Sequence, residues 1–152
     1  MFKNILLAVD GSEMAHHAAE QGMALARRLA AKVTIVTVTL PWETYFSREL
    51  AVLVPDVVIP QPEYEKKREG MATRVVQRVL DQARSAGISA VTNHRCHRDP
   101  YQAIIDVAVE NGCDLIVAGS HCDRGLAGGL PGSETMKIMT HTTIPVLVYR
   151  QP

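Results

Sequence analysis

Residues Leu115–Ser133 read LIVAGSHCDRGLAGGLPGS. The run Leu115-Ile116-Val117-Ala118 is apolar without interruption, the pattern of a strand buried on both faces of a sheet. Glycines follow at 119, 125, 128, 129 and 132, and a helical pattern opens at Gly132-Ser133. A buried strand that passes through a glycine-rich loop into a helix start belongs to a parallel sheet with helical crossovers. The same order of parts suits a phosphate. Glycines let backbone approach an anion and adopt positive φ. The first amides of the helix point at the anion, and the helix dipole favours negative charge there. Nucleotide binding is therefore the first functional expectation, and Cys122 is the side chain in the loop that stands against it.

Outward from this stretch the chain alternates strand and helix signals. Residues 4–9, NILLAV, form a first strand, closed by the tight turn Asp10-Gly11-Ser12 that ends in an N-cap residue. Ala15, Ala18, Ala19, Met23, Ala26 and Leu29 recur at helical spacing between Glu13 and Ala31. Lys32–Thr39 is a strand rich in valine and threonine. Glu63–Ala86 is a helix stopped at Gly87, Ile88–Cys96 a third strand, and Pro100–Glu110 a helix with proline at its first position. Cys113–Ala118 is the fourth strand, Ser133–His141 a short helix and Ile144–Tyr149 a fifth strand. Segment 40–62 breaks the rhythm, because Pro41, Pro55, Pro60 and Pro62 forbid one long element. Its aromatics Trp42, Tyr45 and Phe46 suggest a surface excursion with one short packed helix; a functional lid is the other reading.

The resulting order predicts an α/β fold, a doubly wound five-stranded parallel sheet with helices on both faces. Ile5, Leu7, Val9, Ile35, Ile116, Val117 and Val146 should lie in its core. Ligands of such sheets bind beyond the carboxyl ends of the strands, where the strand order reverses. Asp10, Val38, Arg98 and the 119–133 loop all fall at carboxyl ends.

Bulk composition excludes more than it proposes. The chain has 152 residues, with 16 basic and 16 acidic side chains and zero formal net charge. That length suits one domain spanning 1–152, and that balance predicts neither a nucleic-acid nor an anionic-membrane partner. No apolar stretch approaches the ~20 residues of a membrane span. Cys96, Cys113 and Cys122 are an odd, scattered set, better suited to free thiols in a reducing cytoplasm than to disulfides.

Four features in order carry a resemblance over Met1–Arg150: the opening ILLAVDGSE, the phrase DLIVAGSH, a later Gly-Ser at a helix start, and the closing strand PVLVYR. Together they resemble the universal stress protein family. The resemblance implies an adenine nucleotide alpha hydrolase-like, Rossmann-like fold, a stress-response role, and ATP or a related adenine nucleotide, with Mg2+, as cofactor. Nucleotide-binding members carry Gly, two residues, Gly, nine residues, then Gly-Ser or Gly-Thr. Here Gly119 and Gly132-Ser133 match, and the middle position, beside His121, is Cys122. A glycine common before the third helix, in a Gly-x-Pro phrase, is Arg98 in Arg98-Asp99-Pro100.

Each matched position has an ordinary structural role beside the functional one. Asp10 contacts the nucleotide, or holds magnesium through water, or accepts N–H bonds within its own turn. Val38 touches adenine or is simply a strand residue. Ser133 is expected to cap its helix in either case, with a phosphate contact as an added role. A thiol at Cys122 either strains the loop by on the order of 1 kcal/mol or fills ligand space. The Arg98 guanidinium, at the phosphate mouth, can compensate by binding phosphate itself. His94, Cys96, His97 and the His121-Cys122 pair are zinc-type ligands, but the strand order that the resemblance implies puts two strands between them, about 14 Å at ~4.8 Å per strand. No metal site is expected, and Cys113 should be a buried, inert thiol.

Two functions remain: a nucleotide-binding signalling module, and a ligand-free dimeric module that works through contacts with a protein partner. No general base stands beside the loop, so any ATP hydrolysis should be slow. In this family the last strand lies at a sheet edge, and Ile144–Tyr149 is apolar throughout, so a homodimer through that strand is expected.

Overall fold

The computed structural model describes residues 1–49, 59–120 and 132–151. Its elements are β1 (Asn4–Ala8), α1 (Glu13–Leu29), β2 (Lys32–Thr39), α2 (Trp42–Glu49), α3 (Gln61–Ser85), β3 (Ala90–Cys96), α4 (Pro100–Glu110), β4 (Leu115–Gly119), α5 (Ser133–His141) and β5 (Val146–Tyr149). The five strands form one all-parallel sheet in the order β3-β2-β1-β4-β5. The order reverses between β1 and β4, and the doubly wound α/β expectation holds.

The period of two along β1 builds both layers at once. Ile5, Leu7 and Val9 join the cluster under α1 and α3, with Ile35 and Val117. Leu6 turns the other way into the cluster under α4 and α5, with Val36, Ile116 and Ile138. Six of the seven expected core residues are buried, whereas Val146 is half-buried because β5 lies at an edge.

The two edges differ in chemistry. The outer strand β3 carries Thr92, Asn93, His94 and Arg95, polar side chains that suit solvent. The opposite edge, β5, is Val-Leu-Val-Tyr, with Leu147 39% exposed.

Several boundaries depart from the sequence reading by one or two residues, and three have a clear local reason. Helix α1 stops at Leu29, not Ala31, because Ala30 takes a left-handed conformation (φ 52°) and its N–H reaches back to the carbonyls of Ala26 and Arg27. Strand β3 starts at Ala90 rather than Ile88, because the Ile88 N–H is committed to the Ala83 carbonyl at the end of α3. Strand β5 starts at Val146 rather than Ile144; Pro145 has no N–H to give, and the Ile144 N–H goes to Thr142 Oγ1 at 3.1 Å. Ala30 yields a test. An alanine in the left-handed region costs about 1–2 kcal/mol, and glycine returns roughly 0.4–1 kcal/mol of that through unfolded-state entropy. Ala30→Gly should thus raise stability by about 0.5–1 kcal/mol, seen as a higher melting temperature; a lower one would contradict this cap geometry.

The short helix of the 40–62 segment is present as α2, and its described aromatics do pack. Trp42 Nε1 donates to the Ile59 carbonyl at 2.8 Å, and the Tyr45 and Tyr64 ring centroids are 5.2 Å apart. The Arg68 guanidinium lies 4.7 Å from the Tyr45 ring and 5.2 Å from the Tyr64 ring. Burial holds the Tyr64 hydroxyl pKa above the ordinary value, against the lowering pull of Arg68, and that hydroxyl donates to the Leu40 carbonyl at 2.9 Å. The side chain of Phe46 and Leu50–Val54 lie outside what is described.

Candidate functional site

A cleft of about 240 Å³ opens at the carboxyl ends of β1, β2 and β4, beside the point where the strand order reverses. Its floor is apolar: Val36 and Val38 from β2, Ile104 from α4 and Ile138 from α5. Asp10, Gly119, Glu134 and Thr135 supply the polar part of its wall. The doubly wound topology dictates this place. Three of the residues singled out from sequence, Asp10, Val38 and Gly119, meet here.

Asp10 performs the turn role. Its Oδ1 accepts the Ser12 N–H at 2.9 Å, and Ser12 Oγ in turn accepts the Ala15 N–H at 3.2 Å as the N-cap of α1. Between them Gly11 sits at φ +85°, which a side chain would strain. That bond occupies one carboxylate oxygen. Val38 is half-buried, packs on the α4–α5 side and presents itself to the cleft.

Gly119 lines the cleft, yet its lack of a side chain has another cause. A Cβ there would stand 2.9 Å from Met14 Cγ, 3.0 Å from the Met14 carbonyl oxygen and 3.1 Å from its carbonyl carbon. Glycine is needed for the first turn of α1 to lie across the end of β4.

At the start of α5 one expectation is corrected. The cap position is Gly132 (φ −56°, ψ 155°), with Ser133 as the first helical residue and no side-chain cap bond. Removing the Ser133 hydroxyl therefore carries no cap penalty. The strand-to-helix link is made instead by Ser120, which the sequence reading passed over. Ser120 is 1% exposed, its N–H donates to the Tyr149 carbonyl at 2.9 Å, and its Oγ accepts the Gly132 N–H at 2.6 Å. This latch ties the two ends of the glycine-rich loop together. Its only sequence signal was a small hydroxyl directly after Gly119.

Glu134 and Thr135 were also missed. Thr135 Oγ1 donates to the Gly119 carbonyl at 3.4 Å. Glu134 Oε2 accepts the Tyr101 N–H at 3.1 Å, and its Oε1 lies 3.2 Å from Lys137 Nζ.

Arg98 does not line the cleft among the described residues. Its side chain is 75% exposed and pairs with Asp99 at 3.7 Å, two residues before the lining residue Pro100. His121 and Cys122 lie outside the described residues. Cys113 is buried, and that burial pushes its thiol pKa up, as expected of an inert cysteine. His94 Nε2 is bonded to Thr39 Oγ1 at 2.8 Å, and His97 Nδ1 accepts the Asp99 N–H at 2.9 Å. No helix among the described residues is long and apolar enough to cross a membrane.

An all-parallel, doubly wound sheet with its cleft at the strand reversal defines a Rossmann-like α/β protein. Within that class, the profile of the universal stress protein family matches residues 1–150, and the chain belongs to that family. It is 32% identical over 151 residues to the universal stress protein YxiE of Bacillus subtilis, an alignment covering 99% of this chain and all of YxiE. Among solved structures it is similar to the hypothetical protein MJ0577, with a TM-score of 0.78 and 24% identity over 100% of this chain and 98% of that one. It is also similar to a universal stress protein solved in complex with cAMP, with a TM-score of 0.66 and 22% identity over 97% of each chain. At these identities the likeness to solved structures speaks for the fold.

Proposed function

We propose that residues 1–152 form one universal stress protein domain that binds an adenine nucleotide in the carboxyl-edge cleft and works as a homodimer joined through β5. The observation that carries the nucleotide reading is the cleft itself: an apolar floor around Val38, with Asp10 on one side and the first turn of α5 on the other. Its volume of about 240 Å³ is below the ~300–1,000 Å³ usual for ligand pockets. The described walls thus suit a base and ribose, and the phosphates fall to residues 119–133. The family likeness to a protein solved with cAMP supports the same ligand class.

In this reading Val38 packs on the adenine. Asp10 uses its second oxygen for a ribose hydroxyl, or for magnesium through water when ATP is the ligand. The amides following Gly132, Ser133 among them, face the phosphates, as helix starts do. Gly119, His121 and Cys122 belong to the same loop in the sequence, and Arg98, exposed and paired with Asp99, would have to leave that pair to meet an outer phosphate. Such a protein is a nucleotide-responsive module of the cytoplasm, with a protein partner as its output.

The competing reading, a ligand-free dimer, draws on one finding: Gly119 is already demanded by Met14, so its presence argues nothing about phosphate. Isothermal titration with ATP and magnesium separates the two. Cys122→Gly restores the glycine of the nucleotide-binding pattern and should tighten ATP by about tenfold, equivalent to ~1.4 kcal/mol. If wild type and Cys122→Gly both give no heat at millimolar ATP, the nucleotide reading fails.

A further inference from the structure

Glu134 has an unusual position for a residue on the wall of this cleft. It lies in the first turn of α5, and its Oε2 accepts the Tyr101 N–H at the second position of α4. Pro100, one residue earlier, has no N–H, and the cap residue Asp99 makes no side-chain cap bond. A carboxylate from α5 therefore does the capping of α4. It sits at the positive ends of two helices, where an incoming phosphate would gain most. Its other oxygen is held by Lys137 at 3.2 Å, and Lys137 Nζ rests 5.6 Å from the centre of the Tyr101 ring. Among the described lining residues the charged side chains are Asp10 and Glu134, both acidic.

We propose that Glu134 is a charge-selective element of this cleft: a resident anion that favours adenine nucleotides with one phosphate over those with three. The inference rests on the nucleotide reading above and names the ligand class within it. Each further phosphate brings like charge toward a carboxylate fixed on both oxygens, while the base and ribose face the apolar floor and are indifferent to it. Lys137 tempers the effect by pairing with the same carboxylate.

The test is calorimetric titration of wild type, Glu134→Gln and Lys137→Ala with AMP and with ATP, each with and without magnesium. Glutamine keeps an oxygen for the Tyr101 N–H, so the cap survives while the charge goes; a thermal melt verifies folding. Wild type should bind AMP more tightly than metal-free ATP. Glu134→Gln should tighten ATP about tenfold and AMP no more than about threefold, the scale of one like charge removed at a partly exposed site. Lys137→Ala, on the exposed side of the helix, should move the AMP-to-ATP preference the other way. If both nucleotides bind and the preference is the same in wild type and Glu134→Gln, the inference is overturned and the nucleotide reading stands. If neither nucleotide binds wild type or either variant, the nucleotide reading falls and the inference falls with it.

Discussion

Gly119→Val should cost about 3 kcal/mol of folding stability, the upper end of the ~1–3 kcal/mol typical of overpacking. The reason is the neighbour it would strike. A Cβ at 119 would lie 3.0 Å from the Met14 carbonyl oxygen and 3.1 Å from its carbon, and these are backbone atoms that cannot rotate away. Met14 is in the first turn of α1, whose position is fixed by the Ser12 cap and by Ala15, Ala18 and Ala19 buried below it. Relief therefore requires α1 to lift from β4, which opens the cluster around Leu7 and Val117. For a chain of this size ~3 kcal/mol corresponds to a fall of roughly 6–12 °C in melting temperature. Urea unfolding is the direct measurement, with an unchanged slope and a lower midpoint. A loss under about 0.5 kcal/mol, the size of an ordinary surface substitution, would show that the contact with Met14 is not what requires glycine.

That result bears on how a sequence is read for function. Leu115–Ser133 announces a phosphate loop by its glycines, and the fold it implies is present. Yet Gly119 is explained by helix packing, a long-range fact that no local pattern contains. The apolar runs of β1 and β2 and the helical spacing of α1 were legible because burial acts on every residue of an element. Cys113 was legible because it leads into a central strand, although β4 itself begins two residues later, at Leu115. Ser120, Glu134 and Thr135 were not, because their roles arise where the ends of β4 and β5, α4 and α5 come together. The Ser133 cap failed for a smaller reason. Gly-Ser permits two cap positions, and the bond from the Gly132 N–H to Ser120 Oγ goes with glycine as the cap. Arg98 was placed by its position in the chain, whereas its side chain follows Asp99 into solvent.

The second large effect concerns assembly: Leu147→Lys should weaken a β5-mediated homodimer by about a hundredfold or more and leave a folded monomer. Strand β5 pairs with β4 on one side, through Val146 to Tyr149, and its other side is the end of the sheet. An edge of unpaired N–H and C=O groups templates association unless charge, proline or a bulge blunts it. Edge β3 is blunted by Thr92, Asn93, His94 and Arg95, whereas β5 offers Val146, Leu147, Val148 and Tyr149. On the α1 side a depression of about 470 Å³ continues the strip through Leu25, Leu147 and Tyr149, with Gln21 and Arg150 as its polar lining. In the proposed dimer a two-fold axis beside β5 would bring the strip against its own copy, so that one substitution would be felt twice. Lysine supplies the charge that natural edges use, at a position already 39% exposed, so the monomer's own core loses little. Light scattering should report a dimer for wild type at tens of micromolar and a monomer for Leu147→Lys, with superimposable circular dichroism. A wild-type monomer at that concentration, or a dimer as tight in the lysine variant as in wild type, would place the interface elsewhere or abolish it.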